Sequence, residues 1–260
     1  MNEKILFDNP PLLEALCEFH FVSGEPWDWT IPGLFYQCVE SEFPVRQQQN
    51  VMQFQMTPTS DGTGSMTQQG IARMQFLRED RSALLQVGPD QLIVNQLQPY
   101  QNWDTFKATI ENALENYVKS AHPHAIDQIS LRYVNRIELP PAPEQIEDYI
   151  NTYPKVPNDE NQTWASWAQH VQIMREDLAA MMTVQSGSRI EAPSEADETG
   201  TAQPNNFVML DITFARLPAE PLPLSSVSNW IETAHEEIET LFLASITTKS
   251  RARFGEKETQ

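Results

Sequence analysis

The stretch from Ile126 to Leu139 constrains this chain more than any other. Ile129, Leu131, Tyr133, Asn135 and Ile137 fall on one side of a two-residue period, and Arg132, Val134, Arg136 and Glu138 on the other. Only an extended strand separates them in this way, and a strand this long with one apolar side belongs to a sheet that is covered on one face. Leu12 to Val22 repeats the pattern, with Leu13, Ala15, Cys17, Phe19 and Phe21 on one side and Glu14, Glu18 and His20 on the other.

Helical periodicity supplies the covering layer. Trp103, Phe106, Ile110, Ala113, Leu114 and Tyr117 form one apolar stripe over Trp103 to Ser120, and Asp104 in the first turn suits the helix dipole. A second stripe, Trp230, Ile231, Ala234, Ile238, Leu241, Phe242 and Ser245, predicts a helix over Ser226 to Ile246. A short helix opens near Pro32, where proline is tolerated in the first turn. Extended segments at 51–57, 71–77, 83–87 and 91–97 are divided by turn residues such as Gly88-Pro89-Asp90 and read as an antiparallel meander.

The order to residue 122 is β-α-β4-α. From 123 to 248 it restarts as β-α-β3-α, with a helix at 144–151 and strands at 164–175, 178–184 and 207–217; 178–184 is also compatible with a helix. The fold class is therefore α+β. Two duplicated units would form a curved antiparallel sheet with long helices on one face, by analogy with the TATA-box-binding-protein and helix-grip folds, and both units would make one globular body. Residues 186–206, rich in Gly, Ser, Pro and acids, predict a mobile acidic loop, and the charged tail 249–260 is expected to fray.

The 36 acidic residues outnumber the 17 basic ones, leaving a net charge of −19. That field disfavours direct binding to nucleic acid or to anionic membranes. Met1 to Asn9 contains no apolar signal segment, and no apolar run reaches the length that spans a bilayer, so a cytoplasmic location is expected. Cys17 and Cys38 both have apolar neighbours and are expected to be buried free thiols.

No nucleophile elbow, P-loop, dinucleotide fingerprint or zinc-protease motif is present, and no cofactor is implied. His20, His122, His124, His170 and His235 lack zinc-ligand spacing. Glu14, Glu18 and His20 share a strand side, where a solvated face is the ordinary reading and a carboxylate/imidazole metal site the sharper one. Arg132 and Arg136 lie roughly 13 Å apart along one side of their strand. They either pair with acids across the sheet, Asp211 for example, or build an anion site with Tyr133 and Asn135. Trp27, Trp29, Trp164 and Trp167 either close the core or form a partner surface.

Asn9-Pro10-Pro11-Leu12, Pro32-Gly33-Leu34-Phe35-Tyr36, Leu85-Gln86-Val87-Gly88, Leu131-Arg132-Tyr133-Val134-Asn135-Arg136-Ile137 and Tyr153-Pro154-Lys155-Val156-Pro157 occur in this order. Together they resemble an uncharacterised family of sporadically distributed bacterial and archaeal proteins, over nearly the whole chain. The resemblance implies no activity and no catalytic residue. Its sporadic distribution is like that of accessory-genome genes, such as defence or toxin–antitoxin components. His20 departs from the family, whose first strand carries Arg there. The expectation is a non-enzymatic binding protein for a protein partner or a small anionic ligand. The alternatives are an acidic inhibitor or immunity protein that mimics nucleic acid, and an enzyme of unrecognised type acting on a phosphorylated substrate.

Overall fold

The structure is a computed structural model that describes residues 6–57, 65–140, 146–155, 166–191, 205–217 and 220–257. In chain order the elements are β1 (Leu6–Phe7), β2 (Leu12–Val22), α1 (Ile31–Val39), β3 (Val45–Thr57), β4 (Ser65–Leu77), β5 (Ala83–Gly88), β6 (Gln91–Leu97), α2 (Trp103–Ala121), β7 (Ala125–Leu139), β8 (Trp167–Arg175), β9 (Ala180–Glu191), β10 (Asn205–Arg216), α3 (Val227–Ser245), α4 (Thr248–Phe254) and β11 (Glu256–Lys257). The protein is α+β, with mostly antiparallel strand pairing and four α-helices among the described residues. None of these helices is long and apolar enough to cross a membrane.

The chain divides into two compact units, one made of Met1–Ala15, Ser130–Pro218 and Ser228–Gln260, the other of Leu16–Ile129 and Ala219–Val227. In the second of these, which we call the meander unit, the strand order is β3-β4-β5-β6-β2. Its core lies under α1 and α2. Every residue of the predicted α2 stripe is buried, from Trp103 to Tyr117. The ends of α2 obey local chemistry: the Asn102 side chain accepts the Thr105 N–H at 2.9 Å, and His122 closes the helix in the left-handed region at φ 47°. Phe35 packs its ring against Phe76 and Tyr117, and Tyr117 stacks on Phe21 at 4.4 Å. These rings bury large apolar area and carry much of the unit's stability.

The other unit, the arginine unit, has strand order β7-β10-β9-β8. Leu131, Tyr133, Ile137, Met182, Val184, Leu210, Ile212 and Phe214 are buried with Ile231, Ala234 and Ile238 of α3. The two-residue period of β7 and the 3.6-residue period of α3 thus meet as one apolar layer.

Four expectations are corrected. The segment predicted as a helix at 144–151 is described only from residue 146, and there it forms a 3-10 turn, Ile146–Asp148. Its next residues pair with the C-terminal segment: Asn151 N–H donates to the Ser245 carbonyl at 2.8 Å and Thr247 N–H to the Tyr149 carbonyl at 3.1 Å. That backbone is then no longer free for helical bonding. The tail does not fray through Lys257, because α4 is capped by Thr247 and Gly255 and β11 pairs with β1 at the opposite end of the chain. Phe7 docks edge-on against Phe254 and Phe242. The loop expected at 186–206 is shorter at both ends, since β9 runs to Glu191 and β10 starts at Asn205; residues 192–204 lie outside the described residues. Residues 180–184, where strand and helix were both open, are strand, because β9 is paired on both sides, with β8 and with β10.

The fourth correction concerns the thiols. Cys17 is buried, but Cys38 is exposed, because the inward stripe of α1 is Ile31, Pro32, Phe35 and Val39. Burial, and then the neighbouring Glu18 charge, pushes the Cys17 thiol well above its ordinary range. Thiol titration of the folded protein is expected to modify one cysteine rapidly, and Cys38→Ser to remove that fast phase. Rapid reaction of both thiols would mean that β2 is not seated in its core.

Candidate functional site

The register of β7 against β10 places Thr213 opposite Arg132, Asp211 opposite Val134, Met209 opposite Arg136 and Phe207 opposite Glu138. All these residues share the sheet face that α3 does not cover. Arg132 grips Asp211 with both arms of its fork: Nε donates to Oδ1 at 2.8 Å and NH2 donates to Oδ2. The Asp211 side chain is only 13% exposed while that of Arg132 is 42% exposed, so the pair has one foot in solvent and contributes about 1 kcal/mol or less. Arg136 donates from Nε to Glu138 Oε1 at 2.6 Å, and its guanidinium carbon sits 3.9 Å from the Phe207 ring centroid.

Tyr133 and Asn135 point to the other face, into the layer beneath α3. The Tyr133 hydroxyl and His235 Nδ1 are 2.9 Å apart, both side chains buried. Asn135 donates to the Leu210 carbonyl at 3.2 Å. The four residues considered together as a ligand site therefore separate into an arginine pair on one face and a buried polar pair on the other. A strand's alternation dictates that split. Asp211 is the partner expected for Arg132; His235 is an unexpected one for Tyr133, although it lies four residues after Ile231 and three before Ile238 on the inward side of α3.

In the meander unit, Glu18 Oε1 accepts from Gln91 Nε2 at 2.5 Å and lies 2.8 Å from His20 Nε2. The His20 hydrogen bond holds the Glu18 carboxyl below its ordinary range, with burial opposing it. Gln91 joined this pair without any sequence signal, because only the pairing of β6 beside β2 brings it there. Among the described residues no group of three or more His, Cys, Asp or Glu side chains could hold a metal ion. An open groove of about 610 Å3 is lined by Glu42, Arg78, Asp104 and Thr109, where Glu42 already neutralises Arg78.

The tryptophans differ. Trp29 is 58% exposed and meets Trp27 edge-on at 6.2 Å. The Trp27 indole N–H is buried with no acceptor among the described residues. Asp28 between them accepts the Thr30 N–H at 2.6 Å and the Thr30 hydroxyl, which keeps its carboxyl below the usual range and fixes the approach to α1. Leu34, on α1, is also exposed. Trp167 is half-buried at the start of β8, opposite Ser188. Trp164 lies outside the described residues.

No family model, no curated protein and no solved structure matches this chain.

Proposed function

We propose that this chain is a non-enzymatic binding protein that recognises a protein partner through the surface bearing Trp29, and that it serves in an accessory-genome system of the defence or toxin–antitoxin type. The observation that carries the reading is the 58% exposure of Trp29, whose ring is held edge-on against Trp27 at 6.2 Å. Tryptophan is among the side chains most often found at the energetic centre of a protein interface, where its large ring area is buried by the partner. The small-anion alternative draws less support. Asp211 and Glu138 already occupy the forks of Arg132 and Arg136, and a ligand would have to displace them. The duplicated architecture like that of TATA-box-binding-protein and helix-grip folds is supported by one 19-residue helix in each unit laid over antiparallel strands.

The test is affinity capture from the native host with the wild type and with Trp29→Ala. A stoichiometric protein is expected on the wild type, and its retention is expected to fall about thirtyfold, as for an interface centre worth about 2 kcal/mol. Equal retention by both would sink the Trp29 reading. Capture of a small anion alone, lost in Arg132→Ala with Arg136→Ala, would move the site to β7. The net charge of −19 favours a second reading, an acidic inhibitor occupying a basic, nucleic-acid-like site on an enzyme. That complex would weaken steeply with added salt, whereas one centred on Trp29 would not.

A further inference from the structure

We propose that two copies of this chain associate edge to edge through β8, antiparallel and centred on Val171. This surface is in the arginine unit and does not depend on the Trp29 reading.

β8 ends the strand order of its unit. It pairs with β9 along its whole length, and no described strand lies on its other side. An edge of this kind presents a row of backbone donors and acceptors, and proteins ordinarily guard such an edge with lysine, proline or inward charge. β8, with the sequence WAQHVQIMR, has no lysine, proline or carboxylate, in a chain with 36 acidic residues. Val171, Ile173 and Met174 are instead 42%, 41% and 53% exposed. Among the described residues they are half of the six large apolar side chains that face solvent, the others being Leu6, Trp29 and Leu34.

Charge selects the occupant. A basic partner finds no carboxylate on this strand, and an acidic one gains only Arg175, which already pairs with Asp177 and Glu237. A second copy is complementary to it. Antiparallel pairing about Val171 sets Val171 against Val171, Ile173 against Gln169, and Met174 against Ala168 of the second copy. It also sets Arg175 against Trp167 and His170 against Gln172. The two copies of Arg175 lie about 26 Å apart, at opposite ends of the seam. No charge meets its like across the pair. Nine residues of edge pairing cover a small area, so the dimer is weak and reversible. Each copy carries −19, so long-range repulsion opposes the encounter and added salt tightens the dimer.

The experiment is sedimentation equilibrium of the purified chain at about 50 mM and about 500 mM salt. A monomer–dimer equilibrium that shifts towards dimer at the higher salt is expected. Val171→Asp is expected to weaken it at least about tenfold. Because the Val171 side chain is 42% exposed, the variant should stay folded, with a melting temperature close to that of the wild type at concentrations where both are monomeric. The register has its own readout. In a Cys38→Ser background with diamide as oxidant, Val171→Cys should give a disulfide-linked dimer. Met174→Cys should not, because its two copies would stand about 20 Å apart. A chain that stays monomeric at both salt concentrations overturns the proposal. So does a dimer that Val171→Asp leaves unchanged, or equal cross-linking of the two cysteine variants.

Discussion

Replacing Phe35 with alanine is expected to destabilise the meander unit by about 3–5 kcal/mol, which corresponds to a fall in melting temperature on the order of 10 °C. Phe35 is fully buried and is the largest of the inward side chains of α1, beside Ile31, Pro32 and Val39. Its ring lies 5.7 Å from Phe76 of β4 and 6.4 Å from Tyr117 of α2. Alanine removes the transfer free energy of the ring and leaves a cavity between a helix and a sheet that cannot close without moving α1. Phe35→Leu keeps most of the volume and should cost about 1.5 kcal/mol or less. Chemical unfolding of the two variants beside the wild type provides the check. A Phe35→Ala cost under about 1 kcal/mol would mean that α1 is not packed as described.

The second large effect is expected at Gly24. A Cβ there would lie 2.1 Å from the His122 carbonyl oxygen and 3.3 Å from its carbonyl carbon. The obstacle is backbone, held where His122 caps α2 and where His124 N–H donates to the Val22 carbonyl at 3.0 Å. Gly24→Ala therefore has to pull the connection after β2 away from the end of α2, at a cost of about 3 kcal/mol or more. Gly33 is the matched control: a Cβ there meets nothing within 4 Å, and the residue lies inside α1. Gly33→Ala should stabilise by about 0.5–1 kcal/mol, since alanine loses less backbone freedom in a helix than glycine does. Melting temperatures that move in opposite directions for the two alanines are the expected result; a fall for both would place α1 wrongly.

What could be read from the residues alone was the inward side of each long element. The α2 stripe, the β7 alternation and the β2 alternation from Ala15 to Phe21 predicted side chains that are buried in the structure. The Arg132–Asp211 pair was also legible as one of two readings, because a basic side chain on a strand's outward face generally meets an acid on its neighbour. The division of the candidate site between the two sheet faces was not drawn from the residues. Grouping Tyr133 and Asn135 with the arginines ignored the alternation that sends them beneath α3, where His235 waits on a helix a hundred residues away. Cys38 was assigned by its apolar neighbours, although its place on the turn of α1 puts it outward.

The amino-acid sequence by itself determined which side of β2, β7, α2 and α3 is buried, because periodicity and apolarity are local properties that every conformation of the chain carries. The tertiary structure alone decided three things. The C-terminal tail is ordered through Lys257 because β11 finds β1 and Phe254 finds Phe7. Residues 146–151 give up helix for bonding to the segment after α3. β8, with ordinary strand composition, became the edge of its sheet. Each depends on a pairing between residues far apart in the chain, and no local propensity encodes which distant strand or ring will be the partner.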